Sequence, residues 1–153
     1  MLKKIILDCD PGHDDAVAIM LAAAHEDIEI LGITCVGGNT TLENTKTNSL
    51  KICSLIGRTD LKIYSGAAKP LKYDLVTAAH VHGKSGLDIE GSPISIAENY
   101  NLQDQHAVDF IIQTCHDYEG QIYLCATGPL TNIAMSLQKD SSIAKKIKEI
   151  VFM

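Results

Sequence analysis

The 153-residue chain has no apolar run approaching the roughly 18 residues that a bilayer span needs. Its opening, MLKKIILDCD, puts two lysines before only three apolar residues, too short a run for a secretory signal. The expectation is a soluble, cytoplasmic protein with no membrane partner. Basic charge is scarce as well: 13 Lys and Arg against 19 Asp and Glu leave a formal net charge of -6. No cationic stripe is present to release counterions from phosphates, so nucleic acid is set aside as a partner and a small molecule favoured. The five cysteines (Cys9, Cys35, Cys53, Cys115 and Cys125) are odd in number, lack C-x-x-C spacing and sit in apolar segments. They read as buried free thiols in a reducing compartment. Internal repeats, linkers and low-complexity tracts are also missing. With 46% hydrophobic and 21% charged residues, the composition is that of a globular domain with its own core.

What is present is an alternation of strands and helices. KKIILDCD is an almost unbroken apolar run, as in a strand covered on both faces. DDAVAIMLAAAH follows as a helix so apolar around its circumference that burial is expected on all sides. IEILGITCV is a second strand, stopped by GGN. Thr40 and Glu43 then have capping-box spacing before a helix marked by Leu42, Thr45, Ser49, Ile52, Cys53 and Ile56, with Gly57 closing it. LKIYSG reads as a third strand. The next forty or so residues lack strong periodicity and are rich in Gly, His and Ser around HVHGKSGLDIEGSP, which suggests a functional loop. Ala107, Phe110, Ile111, Thr114, Cys115 and Tyr118 mark another helix, closed by Gly120. QIYLCA is a fourth strand, TGPLTN a turn, Asn132 onward a helix and EIVFM a fifth strand. The order implies an α/β fold with a doubly wound, mainly parallel sheet and helices on both faces. A parallel strand ending at Met153 would open the sheet at that edge, so the chain is expected to be part of a larger domain.

In such sheets ligands gather outside the carboxyl ends of the strands. Here those ends carry Asp8 and Asp10, then Gly37, Gly38 and Asn39, then Ser65 and Gly66, and finally Thr127 and Gly128. Asp14 and Asp15 open the first helix across a turn made by Pro11 and Gly12, so four aspartates fall within eight positions. One acid at a helix start caps it and complements the dipole. Four do not fit that role, because like charges within about 4 to 6 Å raise one another's pKa unless a cation neutralises them. Oxygen ligands without His or Cys favour calcium or magnesium over zinc, and carboxylates mixed with a turn carbonyl suit calcium. A magnesium-dependent phosphohydrolase is the rival, although there is no Walker-type loop and no lysine beside the motif to meet a phosphate.

DCDPGHDDAVAIMLA resembles the D-x-D-P-G-x-D-D signature of the inosine-uridine-preferring nucleoside hydrolases. GITCVGGNTTLENTKTNSLKI is similar to that family's second strand and helix entry, HGKSGLD to its active-site loop and ATGPLTNIA to its fourth-strand turn. The resemblance implies calcium-dependent hydrolysis of a small-molecule ribonucleoside to ribose and free base. It implies that Asp10, Asp15 and the Thr127 carbonyl ligate calcium, with Asp10 also the general base on a bound water. Asp14 and Asn39 would hold ribose hydroxyls, His82 would touch substrate from the loop, and Asp8 would orient the ligands from behind. Relatives run longer, so residues 1–153 are expected to be the N-terminal portion of one hydrolase domain, within a homodimer or homotetramer. The absent half would hold a further calcium-binding aspartate and the acid for the leaving base. By this expectation the chain alone binds calcium weakly and turns over poorly. A binding protein that kept the pocket without catalysis is the remaining alternative.

Overall fold

A computed structural model describes residues 2–88 and 93–153. Five parallel strands form one sheet: β1 (Lys3–Cys9), β2 (Ile28–Cys35), β3 (Ile63–Ser65), β4 (Ile122–Ala126) and β5 (Ile147–Phe152). Their spatial order is β3-β2-β1-β4-β5, so the chain winds outward from β1 in one direction and then restarts on its other side. The expected doubly wound architecture is thus present, and its switch point lies between β1 and β4.

Helices α1 (His13–Ala24) and α2 (Leu42–Leu55) pack over the sheet around Leu7, Ile19, Ile33, Ile52 and Cys53. On the other face lie α4 (Ala107–Asp117), α5 (Thr131–Lys139) and a 3-10 turn (Ser141–Lys145), around Ile6, Ile111, Leu124, Ile133 and Ile143. β1 sits between these two cores and is buried from Ile5 to Cys9, as its unbroken apolar run requires. Gly32 lets α4 approach β2: the Phe110 ring lies 3.8 Å from that of Tyr64, and a Cβ at Gly32 would meet both rings.

Three details differ from expectation. Helix α1 is not buried all round: Val17 and Leu21 are 54% and 67% exposed, because the sheet and α2 cover only one side of it. The cap of α2 is one residue later than the capping box suggested, with the Thr41 hydroxyl accepting the Asn44 N–H at 3.4 Å. Thr40 is thereby released to face the loop that follows β3. That irregular segment contains a short helix, α3 (Ala79–His82), and its residues 89–92 lie outside the described residues. The cysteines are free, four buried and Cys125 half-buried.

Candidate active site

The switch point brings the ends of β1, β2 and β4 together, and the acidic turn lies there. The Asp8 side chain is fully buried. One of its oxygens accepts the Thr34 hydroxyl at 2.5 Å and the Asn132 amide at 2.8 Å. Its other oxygen, Oδ2, is buried with no hydrogen-bond partner among the described residues, as is the hydroxyl oxygen of Thr127. Burial raises the Asp8 carboxyl to about 6; the Asn132 and Thr34 bonds oppose this, and the charge of Asp15 adds to it.

Asp10 follows the end of β1, its carboxylate seated between the backbones of Gly38 and Gly128, where a Cβ on either glycine would strike it. Its Oδ2 accepts the Asn39 backbone N–H at 2.6 Å, and the Asn39 side-chain amide donates to the Asp10 carbonyl at 3.3 Å. Burial raises this carboxyl to about 7, helped by the nearby Asp15 charge and opposed by the Asn39 N–H. Asp15, buried in the first turn of α1, accepts the Asp10 N–H at 3.0 Å, and burial lifts its carboxyl as well. Asp14 beside it is exposed. Gly12 precedes α1 without a side-chain cap, so the helix start leans on these acids.

Thr127 joins the cluster through the backbone: its N–H donates to the Asp8 carbonyl at 2.9 Å, and its own carbonyl takes no hydrogen bond among the described residues. His82 ends α3 above the turn, against Gly12 and stacked on His13 with ring centroids 5.9 Å apart. Its Nδ1 is buried without a partner among the described residues. The four acids, Asn39, Thr127 and His82 therefore converge on one end of the sheet.

No lysine or arginine pairs with Asp8, Asp10, Asp14 or Asp15 among the described residues. Buried carboxylates raised toward neutrality without a cationic partner, next to a turn carbonyl that accepts no hydrogen bond among the described residues, fit a hard divalent cation in kind. The set is incomplete in number, since no three His, Cys, Asp or Glu side chains come together as a metal-binding group among the described residues.

The structure adds three positioning residues to those named from the sequence. Thr34 lies opposite Asp8 in the β1–β2 register, and its signal was a hydroxyl inside an apolar strand. Asn132, fully buried, donates to Asp8 and to the Cys35 carbonyl and accepts the Ala67 N–H, tying the ends of three strands to α5. Asn48, on the buried side of α2, donates to the Pro11 carbonyl at 2.9 Å. Three other histidines have local structural roles: His25 accepts the Asp27 N–H at 3.1 Å, His106 caps α4 and His116 pairs with Asp140 at 2.7 Å.

A family model described as inosine-uridine preferring nucleoside hydrolase matches residues 5–153. The chain is 43% identical over 151 residues to a pyrimidine-specific ribonucleoside hydrolase, RihB, of Escherichia coli O1:K1, covering 99% of this chain and 47% of that protein. A solved plant nucleoside hydrolase, PpNRh1, superposes with a TM-score of 0.91 at 32% identity, over 99% of this chain and 48% of the other. A purine-preferring ribonucleoside hydrolase from Gardnerella vaginalis gives 0.90 at 36%, with coverage of 99% and 48%. The chain thus spans about half the length of the relatives it matches.

Proposed function

Because this chain belongs to the inosine-uridine preferring nucleoside hydrolase family, we propose that it supplies the ribose-facing portion of a ribonucleoside hydrolase. In this reading residues 1–153 are the N-terminal portion of one hydrolase domain, and water cleaves the N-glycosidic bond to give ribose and free base. The observation that carries it is the pairing of Asp10 and Asp15 at the switch point, buried, adjacent and without a cationic partner among the described residues.

Asp10, Asp15 and the Thr127 carbonyl would hold calcium. The bound ion would neutralise the two carboxylates and acidify a water beside them. Asp10 is fixed by the Asn39 N–H on one oxygen, which leaves the other to accept the proton of the attacking water. Asp14, exposed at the rim, and Asn39, whose amide donates to the Asp10 carbonyl, would meet ribose hydroxyls. As the C1′–N bond breaks and the C1′–O bond forms, positive charge develops on the sugar and the carboxylates around it stabilise that charge, while the departing base would take its proton from an acid outside residues 1–153. Asp8 braces the pocket through Thr34 and Asn132. Relatives named for pyrimidine and for purine substrates match over the same half, which supports reading this half as recognising ribose rather than base.

Ribose release from inosine and uridine tests the assignment, measured on the chain alone and co-produced with the remaining half of the RihB relative. The expected result is slow or no release alone and chelator-sensitive release together. Absence of release from the co-produced pair would overturn the proposal, and magnesium-dependent phosphate release in its place would support a phosphohydrolase.

A further inference from the structure

One helix holds the loop that lies over the acidic turn. The Thr40 hydroxyl, just ahead of α2, donates to the Lys84 carbonyl at 3.3 Å, and the Asn44 amide donates to the same carbonyl at 3.2 Å. One turn further on, Asn48 donates to the Ser85 carbonyl at 2.9 Å while also holding the Pro11 carbonyl at 2.9 Å. Asn48 is 1% exposed, and both amide hydrogens are committed to this bridge. The loop backbone lies directly on α2, since a Cβ at Gly86, where φ is +81°, would come 2.7 Å from the Thr40 methyl carbon. At its other margin the loop meets the acidic turn again: His13 Nε2 is 3.2 Å from the Asp88 carbonyl, and His82 covers Gly12. Within the loop, the Asp88 carboxylate accepts the Lys84 and Ser85 N–H groups and the Ser85 hydroxyl, which keeps its shape. Asn48 gains nothing for the helix interior it sits in, where Asn is disfavoured; what it gains is the loop.

We propose that Asn48 is a positioning residue which, with Asn44, latches residues 83–86 to the Asp10–Pro11 turn and so holds His82 over the carboxylate pocket before a ligand arrives. The identity of the ligand rests on the hydrolase reading; the latch itself does not. Amide hydrogen exchange on the intact chain reads it. In Asn48→Leu, the Lys84–Asp88 amides should exchange about tenfold faster, with β1 and β4 unchanged, as expected for one or two lost hydrogen bonds in a local opening. Should that variant fail to fold, Asn44→Ala removes two bonds from a half-buried position, one to the Lys84 carbonyl and one to the Thr40 hydroxyl that also holds that carbonyl, and should accelerate the same amides about threefold. Wild-type exchange in the loop, or equal acceleration throughout the sheet, would overturn the latch. In the co-produced pair, the Asn48→Leu substitution should raise KM for uridine about tenfold with kcat within about threefold; a freed loop with unchanged KM would overturn the positioning role. If the wild-type pair releases no ribose, the hydrolase reading fails, and exchange still decides the latch.

Discussion

Asp10 carries the sharpest consequences among single residues. Replacing it with Asn keeps an acceptor for the Asn39 N–H but removes the base, so ribose release should fall about 10³-fold with little change in melting temperature. Asp8 and Asp10 also set a pH signature. Their carboxyls stand at about 6 and about 7 in the folded chain against an ordinary 3.8, so the folded state holds protons that the unfolded state has released. Their contribution is therefore fully present below about pH 3.8 and is lost as the pH rises through 6 to 7. Calcium-free samples should show a melting temperature that declines from about pH 5 to about pH 8, and a rise over that range would contradict these carboxyl environments. Asn132→Leu would strip Asp8 of an amide and leave the Ala67 N–H and Cys35 carbonyl unpaired, costing about 3 kcal/mol in denaturant unfolding. The acids themselves were legible in the sequence, because four like charges in eight positions need an explanation beyond capping. Thr34 and Asn132 were not, since what makes them matter is a strand register and a contact spanning 124 positions.

At the scale of elements, the apolar pattern located all five strands and the main helices, because all but the outermost strand bury an apolar stripe or run, and β5 carries such a run although it lies exposed at the edge. It misjudged the outer side of α1, since apolar composition does not say how many neighbours a helix will find, and Val17 and Leu21 stay exposed. The 3-10 turn before β5 has too few residues to carry a period, and α3 is equally short. The close approach of α4 to β2 makes a separate prediction. Gly32→Ala would press a methyl into Phe110 and Tyr64 and should cost about 1 to 3 kcal/mol, read as a lower denaturation midpoint. No loss would mean that α4 can shift outward freely.

For the molecule as a whole, the open side of the sheet is the dominant feature. A groove of about 360 Å³ runs over β1, β4 and β5, lined by Ile5, Leu7, Tyr123, Cys125 and Val151. Beyond it Val151 and Phe152 are 48% and 64% exposed on the outermost strand. Paired edges and covered faces are the rule for parallel sheets, so the chain alone should self-associate on a sizing column, and Phe152→Lys should shift it toward the 16.5 kDa species. Unchanged elution would show that the edge is not sticky. The strand order has a further consequence, for the timing of folding. β1 leaves the ribosome early, yet its partner β4 and the Asn132 that braces Asp8 lie more than a hundred positions later. Contacts of such long sequence separation close slowly. On a nascent chain the four acids are therefore brought close by their own turn, while the Asn132 brace on Asp8 is among the last contacts to form and is completed only when α5 docks.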